Sequence, residues 1–217
     1  MASTIRAPRL PGSLQLHEHR WWEDEDTLDA VELRGDATGQ ENRNVTITES
    51  RMVGLRLTGS TLGALRLVDC RLEECELSGV VLEGASWNRV ELVECRLSGA
   101  VLSTSKLRHV RFVRCRLDGV ALRMIKAESV AFEECDLTGA DLSMAELTGS
   151  WFHDCKLERL DVSQARLAGT ELHGSELVDI VGGAALAGVR IDPSQIVPTA
   201  LLVFGALGIA ITPERSS

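Results

Sequence analysis

The sequence predicts an all-β repeat protein in which the chain winds into a stack of four-sided coils. The first observation is a period of five. From Ile47 to Leu177, every fifth residue is a bulky apolar one, with Ala127 as the exception. A period of five fits neither the 3.6-residue turn of a helix nor the two-residue alternation of a strand. A long fixed period is typical of repeat architectures, which bury a continuous core by stacking equivalent units.

The second observation is a period of twenty. It is carried by columns of identical residues: Cys75, Cys95, Cys115, Cys135 and Cys155; Gly59, Gly79, Gly99, Gly119 and Gly139; Phe112, Phe132 and Phe152. Twenty residues make four sides of five, so equivalent positions stack on successive coils. With about seven coils spaced by about 4.8 Å, the rod is about 30 Å long. The aligned cysteines are predicted to be buried, reduced filler of the core.

The chain divides into three predicted segments. Residues 1–44 do not follow the five-residue register and form an N-terminal cap, for which the indoles of Trp21 and Trp22 are suited. The polar residues 36–42 are expected to bulge out as a loop. Residues 45–183 form the coils. Residues 184–217 form a last partial coil, a helix and a short strand at residues 209–211.

The C-terminal helix is predicted from a start signal and an apolar face. Asp192, Pro193 and Gln195 provide a cap, a first helical residue and a side chain that reaches back, which places the helix at residues 193–207. Its face is too apolar for water, so we expect a homodimer that joins two chains here. The expected contact residues are Ile196, Val197, Leu201, Phe204 and Leu207.

Composition excludes several classes of protein. The net charge is -9, so the bulk chain repels nucleic acid, and direct binding to DNA or RNA is not expected. No apolar run is long enough to span a bilayer and no signal peptide is evident, so we expect a cytoplasmic protein without membrane contact. Six cysteines without a signal peptide argue against a disulfide framework.

No constellation of catalytic residues is present, and we expect the protein not to be an enzyme. The sequence lacks a phosphate-binding Gly-Lys-Ser/Thr loop and a nucleophile elbow. His153 and His173 lie twenty residues apart, with Asp154 and Glu171 nearby, and this group could hold a metal ion. Two histidines in adjacent coils are more often simple neighbours, so we predict neither a metal nor a cofactor.

The charges form two bands along the coils. Residues 96–126 carry eight basic side chains and one acidic side chain, whereas residues 127–180 carry twelve acidic and three basic side chains. A narrow, negatively charged rod resembles duplex DNA in charge and shape. The alternative is that these charges only solvate the rod. The predicted partner-binding residues are Glu128, Glu133, Glu134, Asp136, Asp141, Glu146, Asp154, Glu158 and Asp161.

Several blocks resemble the repeat of the pentapeptide-repeat family. They are Cys135-Asp136-Leu137-Thr138-Gly139, Ala140-Asp141-Leu142-Ser143-Met144 and Cys95-Arg96-Leu97-Ser98-Gly99. The resemblance implies a right-handed quadrilateral parallel β-helix, with the Leu or Phe and the small residue pointing inward. The chain departs from the family pattern at the second position, where Arg, Glu or Val often replaces Asp or Asn.

The C-terminal segment adds a narrower resemblance. Residues 188–195 and 207–209 are similar to the end of MfpA-type proteins, which together with the Qnr proteins mimic DNA, bind DNA gyrase and dimerise through this end. The resemblance implies a non-catalytic partner of gyrase or another type II topoisomerase that inhibits the enzyme or confers resistance to antibiotics directed at it. The alternative is a scaffold of the same fold with an unrelated partner.

Overall fold

The computed structural model describes residues 4–18 and 22–209, and it confirms a stack of about seven parallel β coils. Every strand pair is parallel. The strands are β1 (Gln15–Glu18), β2 (Thr27–Asp29), β3 (Val31–Arg34), β4 (Glu41–Arg43), β5 (Thr46–Thr48), β6 (Arg51–Val53), β7 (Thr61–Gly63), β8 (Arg66–Glu73), β9 (Ser86–Val93), β10 (Lys106–Val113), β11 (Lys126–Glu133), β12 (Glu146–Thr148) and β13 (Trp151–His153).

Backbone hydrogen bonds hold each coil against both of its neighbours. The N–H of Arg96 donates to the carbonyl of Cys75 one coil back (2.9 Å), and the N–H of Leu97 donates to the carbonyl of Arg116 one coil ahead (2.7 Å). We name the four sides after one coil: side A is residues 66–70, side B 71–75, side C 76–80 and side D 81–85. Residues twenty positions away lie on the same side.

A left-handed residue turns each corner of the coil. Gly79 and Gly99 turn the corner between sides C and D with φ of 64° and 65°. Other corners use residues with a side chain, such as Asp69 (φ 56°) and Glu74 (φ 54°). A positive φ is unfavourable for such residues. The core and the hydrogen bonds between coils must therefore offset this cost many times over.

The core columns pack as the repeat predicts. The rings of Phe112, Phe132 and Phe152 stack with centroid separations of 4.8 and 4.7 Å. All five predicted cysteines are buried and free, as is Cys70, whose pKa is raised by burial to about 12. Their thiols also donate: Cys155 Sγ lies 3.3 Å from the carbonyl oxygen of Phe132, one coil back. The cysteines are thus more than filler, because they satisfy core-facing carbonyl groups.

Coil stacking begins inside the segment assigned to an N-terminal cap. β1 pairs with β3, and β2 with β5. The loop expected at residues 36–42 is wrong, because Asp36 bridges to Arg56 and β4 pairs with β7. The one-residue offset is absorbed at Gly35, whose φ is 105°. Trp22 is buried at this end of the core, as expected, whereas Trp21 lies outside the described residues.

Residues 4–14 form an N-terminal arm that runs along the rod instead of covering its end. Residues 10–14 lie beside Arg51 and Arg71, and residues 4–8 lie beside Arg111 and Trp151, two to five coils further on. Midway, the N–H of Arg9 donates to Oδ1 of Asp69 (3.0 Å), which also binds Arg89. The arm therefore covers the edge between sides A and B.

The C-terminal end is closed by two short 3₁₀ helices (Gly183–Leu186 and Pro193–Gln195) and the helix α1 (Ile196–Ala206). The side chain of Gln195 is the closing element. Its Oε1 accepts from the N–H of Asp192 (2.7 Å), and its Nε2 donates to the carbonyls of Leu172 and Ser175 (2.8 and 2.6 Å). Gln195 thus supplies the partners that a further coil would otherwise provide. Ile209 has no regular structure, and the rest of the strand predicted at residues 209–211 lies outside the described residues.

We predict that Gln195→Ala lowers the free energy of unfolding by about 1–3 kcal/mol, because two buried carbonyls lose their donor. Urea unfolding followed by circular dichroism measures the change. Gln164→Ala is the matched control, since Gln164 is an exposed corner residue and should change stability by less than about 0.5 kcal/mol. Equal losses for the two variants would contradict the closing role.

Candidate partner-binding surface

The nine carboxylates predicted to bind a partner all lie at outward positions, but they do not share one side of the rod. Glu128 and Glu146 lie on side A, and Glu133 lies on side B. The other six lie on sides C and D and at the corner between B and C. The predicted band therefore divides into two groups with different surroundings.

The three carboxylates on sides A and B are occupied by ion pairs. Glu128 lies 3.3 Å from Arg108, and Glu146 lies 3.3 Å from Arg166. Glu133 accepts from Nε of Arg111 at 3.1 Å and from the indole of Trp151 at 3.4 Å. Burial alone raises the pKa of Glu133, but Arg111, Trp151 and His153 together hold it below its usual value. Glu133 therefore stabilises the part of side B that lies beneath the arm.

The second group forms a continuous acidic surface on sides C and D. Its members lie in adjacent coils: Asp141 bridges to Asp161, and a single lysine, Lys156, stands between Asp136 and Glu176 in their column. Glu176 and Asp179, which the sequence analysis did not include among the binding residues, extend this surface into the next coil. The acidic surface is Glu134, Asp136, Asp141, Asp154, Glu158, Asp161, Glu176 and Asp179.

Most of the acidic surface has no cationic partner. Glu158 pairs with Lys156 (3.4 Å) and Arg159 (2.7 Å), and Asp141 lies 3.5 Å from Arg123. Within residues 4–18 and 22–209, the remaining six carboxylates form no ion pair. The acidic surface thus keeps a negative field that sides A and B lack.

Three of these carboxylates also shape the backbone. Asp136, Asp141 and Asp161 each accept the N–H two residues later, at 3.0, 2.9 and 2.8 Å. Aspartate commonly stabilises a turn in this way. Burial raises the pKa of Asp136, but these contacts with Thr138, with Lys156 and Arg116 nearby, bring it below the usual value. Glu134, Asp154 and Asp179 turn corners with a positive φ, but neither they nor Glu176 accept a hydrogen bond from the backbone in the described part of the chain. Changing these side chains therefore removes no such bond.

The predicted basic band is largely neutralised by neighbouring coils. Arg114 lies 2.8 Å from Glu94, and Arg96 lies 3.6 Å from Glu76. Arg111 contacts both Glu91 and Glu133. The basic band therefore works mainly as the cationic half of ion-pair ladders between coils.

Helix α1 exposes the five side chains predicted at a dimer contact. Their exposed fractions range from 39% for Phe204 to 83% for Val197. A groove of about 550 Å³ runs between α1 and the last coil, and Leu177, Ile180 and Leu201 contribute to its walls. The rod thus ends in an apolar surface, and no helix among the described residues is long and apolar enough to cross a membrane.

Comparison with known proteins identifies the family. The model described as "Pentapeptide repeat region" matches residues 105–180, and the model described as "Pentapeptide repeats (8 copies)" matches residues 66–103 and 75–112. Together these matches extend over more than half of the chain, at the residues that form the coils. The chain belongs to the pentapeptide-repeat proteins. No curated protein matches the sequence.

Two solved structures are similar to this chain, and the first of them shows the same fold. A trypsin-treated variant of QnrB1, a plasmid-mediated fluoroquinolone resistance protein, is 20% identical, with a TM-score of 0.59; the match covers 88% of this chain and 99% of that one. HetL, a pentapeptide-repeat protein involved in heterocyst differentiation regulation in the cyanobacterium Nostoc sp. strain PCC 7120, is 16% identical, with a TM-score of 0.48. That match covers 77% of this chain and 87% of that one. At these identities the likeness concerns the fold alone.

We predict that Glu133→Gln lowers the free energy of unfolding at pH 7 by about 1 kcal/mol, because Arg111 loses one of its two ionised partners. The folded-state pKa of Glu133 is below its unfolded value, so its contribution is present above the unfolded pKa and is lost as the pH falls through the folded one. The difference between wild type and variant should therefore shrink as the pH falls below about 4.5.

Urea unfolding at a series of pH values measures this effect. Glu134→Gln is the control, because Glu134 is exposed and unpaired, and its stability should match wild type at every pH. A loss for Glu133→Gln that is the same at pH 7 and at pH 3.5 would show that the ionised carboxylate is not responsible.

Proposed function

We propose that this protein is a non-catalytic, cytoplasmic interaction protein whose acidic surface imitates the phosphates of duplex DNA. The partner is a type II topoisomerase such as DNA gyrase, bound through the basic surface with which that enzyme grips DNA. Binding would inhibit the enzyme or protect it from drugs that act on its complex with DNA. The observation that carries the proposal is the unpaired negative charge on sides C and D.

The charge density of the acidic surface approaches that of DNA. Its eight carboxylates span three coils, and Lys156 and Arg159 lie among them, which leaves six net negative charges. Three coils at strand spacing rise about 14 Å, or about 2.4 Å for each net charge. Duplex DNA carries one charge for about 1.7 Å of its axis. A protein surface built to bind DNA would thus meet a comparable field.

The arm makes sides C and D the accessible sides. It lies over the edge between sides A and B, where the carboxylates are already paired with arginine. QnrB1, which shares the fold, is described as a fluoroquinolone resistance protein, and this description supports testing a topoisomerase first. Five of the eight basic side chains in the neighbouring band are paired with carboxylates, which reduces the opposing charge that a partner would meet.

The test is a charge reversal of the acidic surface. We expect the triple variant Glu134→Lys, Glu176→Lys and Asp179→Lys to bind purified gyrase at least about tenfold more weakly than wild type at low salt. None of the three side chains accepts a hydrogen bond from the backbone among the described residues, so the variant should fold. Binding of the wild type should weaken steeply as salt rises, as protein–DNA binding does.

The control variant changes the same number of charges elsewhere: Glu49→Lys, Glu83→Lys and Glu128→Lys, all of them exposed. It should bind gyrase like wild type. DNA supercoiling, with and without a fluoroquinolone, gives the functional outcome. If wild type neither binds gyrase nor changes supercoiling or drug poisoning, the mimicry proposal fails for this target, and a scaffold with another partner becomes the better explanation.

We also propose that two chains join through helix α1. The apolar side chains at the rod's end would be covered if the same surface of a second copy met it across a twofold axis. Because the acidic surface extends to the last coil, the two acidic surfaces would then lie close to each other. The dimer would present one longer negative field to the partner.

For the dimer, we predict that Leu201→Glu combined with Phe204→Glu produces a monomer, because two charges would be buried without partners at the contact. Light scattering coupled to size exclusion measures the mass. Leu16→Glu is the control, since Leu16 is also an exposed apolar residue (56%) but lies in the first coil. A dimer of unchanged mass in the double variant would place the interface elsewhere.

A further inference from the structure

Two histidines and a glutamate meet on side B near the C-terminal end of the rod. His153 and His173 hold the same position in adjacent coils, and Glu171 precedes His173 by two residues, so all three side chains project outward. The ladder fixes their backbones: the N–H of Phe152 donates to the carbonyl of Glu171 (2.7 Å), and that of Asp154 to the carbonyl of His173 (3.0 Å).

The side chains converge closely enough to share one ion. The imidazole rings are parallel within 3°, with centroids 5.6 Å apart. Nε2 of His153 lies 3.6 Å from Oε2 of Glu171, and one ligand atom from each of the three residues lies within 4.8 Å of the others. In a tetrahedral zinc site with bonds of about 2.0–2.1 Å, ligand atoms lie about 3.3 Å apart. Small rotations of the side chains would reach that geometry.

Two details distinguish this cluster from a chance meeting of surface side chains. Nε2 of His153 is shielded from solvent but has no hydrogen-bond partner among the described residues, which is unfavourable for a buried polar atom. The other oxygen of Glu171 is held by Arg190, with Nη1 at 3.0 Å. Metal-binding carboxylates are commonly oriented by such an outer hydrogen bond. The nitrogen without a hydrogen-bond partner and the oriented carboxylate both suit the binding of a cation between them.

We propose that His153, His173 and Glu171 bind one divalent transition-metal ion, with Zn²⁺ as the ion of choice. Two imidazoles and a carboxylate are a known zinc ligand set, and they leave a fourth position for water or for a group from a partner. The ion would join two coils at the end of the rod, next to the segment that closes it. Its site is separate from the acidic surface, so the proposal does not depend on gyrase binding.

Binding of Zn²⁺ alone to the full, untagged chain is the first experiment. A competition titration against a chromophoric chelator should show one ion per chain. His153→Gln and His173→Gln should each weaken binding at least tenfold, and Glu171→Gln should weaken it as well. His17→Gln, which removes a histidine in the first coil, should bind like wild type.

Co²⁺ substitution and thermal unfolding complete the test. Co²⁺ should give the visible bands of a tetrahedral nitrogen and oxygen site, without the charge-transfer band of a thiolate, because the cysteine column does not take part. Zn²⁺ should raise the melting temperature of wild type and leave the two histidine variants unchanged. Metal-free variants should melt like metal-free wild type, which shows that they fold.

Three results would overturn the proposal. The first is the absence of saturable Zn²⁺ binding by wild type. The second is unchanged affinity and stoichiometry in the variant that lacks both His153 and His173, which would indicate adventitious binding elsewhere. The third is a thiolate band with Co²⁺, which would assign the ion to the cysteines instead.

Discussion

The hydrogen-bond ladder between coils is the constraint on which the rest of the structure depends. Since each coil bonds to the one before and the one after, the chain must return to the same point every twenty residues. Side chains then stand in columns, and one inserted residue would turn core positions outward. The offset at Gly35 lies near the N-terminal end of the stack, where a φ of 105° absorbs it and few coils have to adjust. The other departures from twenty residues also lie at the ends, between Gln15 and Val31 and between Glu171 and Arg190.

The ladder also explains which parts of the fold could be predicted from the sequence. The backbone decides whether a position points inward, so a period of five was enough to predict that Phe132 and Cys135 are buried. The prediction of a loop at residues 36–42 was wrong because most residues there are polar and point outward. The buried positions of this coil are occupied by Ala37 and Gln40, which are not bulky apolar residues. The arm lacked any signal of this kind. Its position depends on contacts with Asp69 and with distant coils, and it accompanies the burial of outward residues such as Ala131, which the period of five alone assigns to the surface.

The candidate site was predictable only in part, for a related reason. The period of five shows which carboxylates point outward. Whether such a carboxylate forms an ion pair depends on the residue that occupies the same column in the adjoining coils. Glu133 and Glu134 are neighbours in the chain, yet one faces Arg111 and Trp151 while the other stands unpaired at a corner. In the same way, only the structure shows that Oε2 of Glu171 lies near Nε2 of His153. Sides A and B thus concentrate ion pairs and the arm, whereas sides C and D stay open and acidic.

The course of the arm affects how such a rod comes apart. Solenoids are quasi-one-dimensional: each unit contacts only its neighbours, so the ends can fray one unit at a time. Here a single segment touches the coil of Arg51 and, five coils away, that of Trp151. Fraying that reaches the coil of Arg51 or that of Trp151 must then release contacts of the arm, which couples the coils between them into one cooperative unit. Because these contacts join residues far apart in sequence, the arm should dock late in folding, after the coils beneath it have formed.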